Sequence, residues 1–143
     1  MLQELNIKNA ALIKSTNIEF NKGLNVLSGE TGAGKSMVIG SLMFALGSRV
    51  SRDFIRAGEE KAAVEAVFTK LPIAAKNYAE NAGIDCSDGV FIFSRTINRD
   101  GRTTARVNGT SVTASVLKEL SLKLVDIHSQ HEHHSLLNPA RHI

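Results

Sequence analysis

The stretch that decides the fold is Leu24–Leu46, LNVLSGETGAGKSMVIGSLMFAL. Within it, Gly29–Ser36 (GETGAGKS) fits the pattern G-x-x-x-x-G-K-[ST] at every position. A short apolar run, Leu24–Leu27, precedes this motif, and apolar residues at helical spacing follow it over Lys35–Leu46. A buried strand, a glycine-rich loop and an amphipathic helix in this order predict the phosphate-binding loop of a P-loop NTPase.

Each position of the loop has a physical role in holding phosphate groups. The glycines permit a close approach of the backbone, and successive backbone N–H groups form a concave site for an anion at the positive end of the helix dipole. Lys35 supplies a point charge for the β and γ phosphates, and Ser36 offers a hydroxyl to Mg²⁺. The predicted binding set is Gly29, Glu30, Thr31, Gly32, Ala33, Gly34, Lys35 and Ser36. The motif alone does not choose among GTPases, kinases and helicases.

The rest of the chain is predicted to be mostly strands. Alternating or apolar runs predict strands at Leu2–Lys8 (an edge or half-buried strand), Thr16–Phe20, Ala62–Phe68, Val90–Ile97, Arg102–Val107 and Leu122–Ile127 (a buried strand). Asp100-Gly101 between two of these runs predicts a hairpin turn. Helices are expected from Pro72 to about Asn81 and from a Thr113 cap through Leu120. The order predicts an α/β fold with an antiparallel portion.

Length and composition are those of an ordinary globular domain. The chain has 143 residues, of which 43% are hydrophobic and 22% charged. Its net charge of +3 permits nucleic acid as a partner without requiring it. Absence of Trp argues against a stacking platform for single strands. No apolar run approaches membrane-spanning length, and one unpaired cysteine, Cys86, suits a reducing compartment, so the cytoplasm is the expected location.

A histidine-rich segment, Asp126–His134 (DIHSQHEHH), follows the last predicted strand. Its spacing is not H-E-x-x-H and no second ligand cluster accompanies it, so zinc is not favoured. If the preceding strand runs parallel to the phosphate-loop strand, Gln130 ends beside the phosphates. Its amide oxygen could then bind Mg²⁺ and its NH₂ could face the attacking water, which makes Gln130 a catalytic and metal-binding candidate beside Lys35. A solvated loop is the alternative.

Four arginines surround the predicted hairpin. Arg95 and Arg99 lie towards the end of the first strand, whereas Arg102 and Arg106 share one face of the second. A hairpin could gather all four into a basic patch for the phosphates of DNA. The alternative is a solvated hairpin face.

Three stretches carry a resemblance to a known family: Leu24–Leu46, Asp53–Phe68 (DFIRAGEEKAAVEAVF) and Leu124–His142 (LVDIHSQHEHHSLLNPARH). They resemble the N-terminal part of the RecN family, bacterial DNA repair ATPases related to the SMC proteins. The resemblance implies an ABC-type head split across the sequence, with residues 1–143 as its N-terminal lobe and a mixed sheet. It makes Gln130 the Q-loop residue. Ala10-Ala11 stands where related heads often carry a polar side chain near the base, which leaves base recognition open.

The same resemblance implies ATP and Mg²⁺ as ligands, and DNA, the chain's own C-terminal lobe and a second head as partners, the last in an ATP-dependent homodimer. No Leu-Ser-Gly-Gly and no apolar run ending in Asp-Glu occurs in these residues. A helix start at Asn138-Pro139, four residues before the last residue, predicts a piece of a longer polypeptide. We therefore expect an ATPase in double-strand break repair, near the nucleoid of a bacterial cytoplasm, with little turnover by this piece alone.

Two other functions are compatible with part of this pattern. A nucleotide-binding regulator or scaffold that never hydrolyses ATP would share the phosphate loop. A small phosphate-loop kinase would need a lid and an acceptor site, and the sequence shows neither.

Overall fold

A computed structural model describes residues 1–20 and 32–128, with side chains at 1–20 and 35–124. Six strands form one sheet in the order β2-β1-β3-β4-β5-β6. The strands are β1 (Leu2–Ala10), β2 (Ile13–Glu19), β3 (Lys61–Phe68), β4 (Phe91–Asn98), β5 (Thr103–Val107) and β6 (Thr110–Ser111). The helices are α1 (Gly32–Ala45), α2 (Ile73–Asn81) and α3 (Ala114–His128), with one turn of 3₁₀ helix at Arg52–Phe54. Every strand pair within the described ranges is antiparallel.

Alternation along the strands separates a buried face of the sheet from an open face. Val64 of β3 pairs with Ile7 on one side and Arg95 on the other, and all three side chains are buried. On this face α1 lies against β1, β3 and β4, and α3 lies against β5. Phe44 of α1 is fully buried there. The core thus lies between one side of the sheet and the helices.

Most predicted elements are confirmed, with small differences at their ends. The hairpin turn is present because the Asn98 side-chain oxygen accepts hydrogen bonds from the backbone N–H groups of Asp100 (3.0 Å) and Arg102 (3.1 Å). The Thr113 cap is present as well, since its hydroxyl accepts from the N–H of Val116 at 3.2 Å. Of the two alternatives for the first strand, an edge strand is wrong because β1 lies between β2 and β3, and a half-buried strand is confirmed.

The strand predicted at Leu122–Ile127 is wrong, because α3 continues through these residues. Leu117, Leu120 and Leu124 are all buried and recur three and four residues apart, so they form one helical stripe. A short apolar run cannot by itself distinguish a strand from a buried helical segment. The argument that placed Gln130 at the end of a parallel strand therefore loses its basis. The other predicted parallel element, Leu24–Leu27, and Gln130 itself lie outside the described residues.

Candidate nucleotide-binding site

The predicted phosphate loop leads directly into α1. Gly29, Glu30 and Thr31 lie outside the described residues, and the helix begins at Gly32, inside the motif. Lys35 and Ser36 follow in its first turns, and both side chains are exposed. A helix N-terminus carries unpaired N–H groups and a partial positive charge, so an ammonium and a hydroxyl beside it form a site suited to phosphate and a hard cation.

The opposite end of α1 is fixed by close packing against α3. Gly47 follows the helix with φ +115°, and its N–H donates to the carbonyl of Phe44 at 3.1 Å. A Cβ at Gly47 would lie 2.7 Å from Cγ of Lys118 and 3.2 Å from the carbonyl oxygen of Ala114. Only glycine fits both this conformation and this approach. The Ser121 hydroxyl of α3 lies 3.0 Å from the carbonyl oxygen of Leu46 and 2.7 Å from that of Leu117, and it shares its one proton between them.

Arg95 of β4 holds the same end of α1 from the sheet side. One guanidinium nitrogen donates to the carbonyl of Phe44 at 2.8 Å and to that of Ser48 at 3.2 Å. The guanidinium carbon lies 4.5 Å from the centre of the Phe44 ring, a cation–π contact. Arg95 is only 4% exposed, and its burial lowers the pKa of the guanidinium from its usual value. A positive charge therefore lies against the negative end of the phosphate-loop helix.

Comparison with known proteins places this arrangement in a family. A family model described as "AAA domain" matches residues 4–138, nearly the whole chain. The chain belongs to the AAA domain family.

Several proteins similar to this chain are named DNA repair protein RecN. The one from Halalkalibacterium halodurans is 44% identical over 100% of this chain, and the one from Bacillus subtilis is 40% identical over the same share. The chain spans about a quarter of their length, 26% and 25% respectively. The resemblance to the N-terminal part of RecN proteins is confirmed.

A solved structure from work on "ATP-driven dimerization and DNA stimulated activation of SMC ATPases" matches with a TM-score of 0.64. The match covers 87% of this AAA domain chain and 79% of the other at 24% identity, so it bears on the fold. The predicted α/β fold with an antiparallel portion is confirmed, and it is similar to the fold of this solved structure.

The four arginines predicted to form a DNA patch do not lie together. Arg95 is buried against α1, so its inclusion in an exposed patch is wrong. Its register partner on β5 is Ala105, on the buried face, whereas Arg106 lies opposite Ser94 on the open face. Arg99 uses its guanidinium locally, donating to the carbonyls of Glu59 at 2.8 Å and Arg56 at 3.0 Å. Arg102 and Arg106 remain exposed.

The open face of the sheet carries a polar row that the sequence analysis missed. Adjacent strands contribute Asn17, Asn6, Glu65, Ser94 and Arg106 in register. Asn6 donates to Glu65 at 3.2 Å, and Asn17 donates to Asn6. The alternation of polar and apolar residues along each strand predicts which positions are polar. Only the register of the four strand pairs shows that these residues are neighbours across the sheet.

Within the described ranges no group of three or more His, Cys, Asp or Glu side chains could hold a metal ion. The four residues from His131 to His134 lie outside those ranges, as does Gln130. Of the predicted Mg²⁺ ligands, the structure thus describes only Ser36. Among the same residues, no helix is long and apolar enough to cross a membrane.

Proposed function

We propose that this chain is the ATP-binding N-terminal lobe of an SMC-like ATPase head that acts in the repair of DNA double-strand breaks. The observation that carries the proposal is the GETGAGKS motif at the start of α1, with Lys35 and Ser36 exposed at the helix N-terminus. The names of the relatives, DNA repair protein RecN, support a role in DNA repair, and double-strand breaks follow only from the family resemblance.

The residues at this helix end fit Mg²⁺ and a triphosphate. The Ser36 hydroxyl is an oxygen ligand of the kind that Mg²⁺ prefers, and it is exposed next to Lys35. The resemblance to the RecN family, and not the position of a strand, makes Gln130 the residue that would add a second oxygen ligand and orient the attacking water. Bound Mg²⁺ would neutralise charge on the β and γ phosphates. Gly29–Gly34 would hold the phosphates with backbone N–H groups.

We propose further that this lobe does not complete the catalytic site alone. Its sequence lacks a Leu-Ser-Gly-Gly signature and an apolar run ending in Asp-Glu. Those groups would come from a C-terminal lobe and from a second head, so that ATP closes a homodimer and hydrolysis reopens it. The SMC ATPases of similar fold are described as dimerising in an ATP-driven way, which supports the proposal. A non-hydrolysing regulator or scaffold is not favoured by these relatives.

The test compares nucleotide binding with turnover. The chain of 143 residues should bind Mg²⁺-ATP in calorimetry but release almost no phosphate. A polypeptide of the relatives' full length should hydrolyse ATP and dimerise when ATP is added. Absence of ATP binding by the chain would refute the proposed site. Robust turnover by the chain alone would refute the proposal that its site is incomplete.

Arg102 and Arg106 remain candidates for contact with DNA phosphates. In a full-length polypeptide, Arg102→Glu with Arg106→Glu should weaken DNA binding and reduce the slope of log affinity against log salt by about 2. Electrophoretic or anisotropy titrations at several salt concentrations would measure both quantities.

The matched control is Lys14→Glu with Lys61→Glu, which changes the net charge equally at two other exposed positions. Equal weakening by both double variants would show a general charge effect and contradict a local contact.

A further inference from the structure

We propose that Arg95 is a positioning residue for the phosphate loop. It holds the C-terminal end of α1 so that the N-terminal end presents Lys35 and Ser36 at a fixed place. This inference rests on the proposed nucleotide-binding function and concerns a residue outside the phosphate-binding motif.

The distribution of contacts along α1 makes its placement depend on the C-terminal end. Of the described α1 side chains, the fully buried ones are Ser41, Phe44 and Ala45, all in the second half of the helix. Near the N-terminus, Lys35, Ser36 and Ile39 are exposed, and Met37 and Val38 are only partly buried against the core. A helix of 14 residues is about 20 Å long and transmits a rotation at one end to the other. The fully buried contacts at the C-terminal end therefore contribute most to the direction in which the N-terminal end of α1 points.

If packing were the only role of this position, a buried arginine would be energetically unfavourable there. Burial of a charged group costs free energy unless it is fully compensated, and the buried Nε of Arg95 has no hydrogen-bond partner among the described residues. Its guanidinium instead donates to two carbonyls on either side of the helix end. An apolar side chain of similar size could cover Phe44 without these costs. What it could not supply is a pair of directed bonds that fix where the helix ends.

Removal of the guanidinium would leave few groups unsatisfied. The carbonyl of Phe44 also accepts from the N–H of Gly47, so it keeps a partner. Met in place of Arg95 retains an unbranched apolar chain that can lie on the Phe44 ring. The substitution therefore removes mainly the two hydrogen bonds that hold the C-terminal end of α1.

The decisive experiment measures ATP affinity and urea unfolding for Arg95→Met and Arg95→Lys in this chain. Arg95→Met should weaken Mg²⁺-ATP binding on the order of tenfold while shifting the unfolding midpoint little, because small displacements of a binding group are costly. Arg95→Lys keeps one positive donor and should recover part of the affinity. A purely packing role predicts no recovery by lysine beyond that by methionine.

Ile97→Val is the matched control, because Ile97 is buried on the same strand and the same face but has no group that can donate to the carbonyls of Phe44 and Ser48. It should lower the unfolding midpoint and leave ATP affinity unchanged. Equal affinity of wild type and Arg95→Met would overturn the role of Arg95 and leave the nucleotide site standing. A wild-type chain that binds no ATP would instead refute the proposed function itself.

Discussion

Lys35→Ala should abolish Mg²⁺-ATP binding by the chain, with a loss of at least about 100-fold in affinity, or ~2.7 kcal/mol. The ammonium makes charge-assisted contacts with the β and γ phosphates, and such contacts are the strongest hydrogen bonds that a protein offers. Lys35 is exposed, so its truncation removes no core packing and the unfolding midpoint should stay unchanged. Titration calorimetry with Mg²⁺-ATP and urea unfolding of the same sample measure both quantities.

Lys14→Ala is the control for the loss of one positive charge. Lys14 is exposed on β2, and its truncation changes the net charge equally. It should leave ATP affinity within about twofold, because Lys14 is not part of the predicted phosphate-binding set Gly29–Ser36. Equal ATP affinity of Lys35→Ala and wild type would remove the basis of the proposed site.

The strands could be predicted because one face of the sheet is buried. Alternation over Ala62–Phe68 and Val90–Ile97 places every second side chain against the helices, which is a period of two that the sequence shows directly. The strand prediction for Leu122–Ile127 is wrong because Leu124 belongs to a buried helical stripe that starts earlier, at Leu117, whereas Leu122 is exposed. The segment Leu122–Ile127 is too short to include the first turns of this helical stripe. The period of a helix becomes visible only over a longer segment.

Only the part of the site that is contiguous in the sequence could be predicted. The phosphate motif is a run of eight consecutive residues, so Lys35 and Ser36 could be chosen from spacing alone. The sequence predicts a contact of Arg95 with DNA phosphates only because Arg95 is a cation near a hairpin. Its actual partners, the carbonyls of Phe44 and Ser48, lie about 50 residues earlier, at separations of 51 and 47. Backbone carbonyls have no signature in a sequence, so this contact could come only from the fold.

Phe93→Ala should lower the free energy of unfolding by about 3–5 kcal/mol, the usual cost of deleting a buried phenyl ring. Phe93 is fully buried on β4, with ring centres 5.3 Å from Phe68 and 5.8 Å from Phe91. Domains are stable by only about 5–15 kcal/mol, so this one change removes a large share of the total. Phe93→Leu fills part of the cavity and should cost less. Urea unfolding followed by circular dichroism measures each variant.

Ile92→Ala is the matched control because it lies next to Phe93 on the same strand but faces the open side of the sheet. Ile92 is 37% exposed, so its truncation should cost about 1 kcal/mol or less. The ratio of the two losses reports which face of the sheet carries the core. Similar losses at both positions would mean that the open face is covered as tightly as the helical face, which contradicts the one-sided core described above. A loss at Phe93 alone supports a core on the helical side of the sheet, which is the side on which Arg95 contacts the C-terminal end of α1.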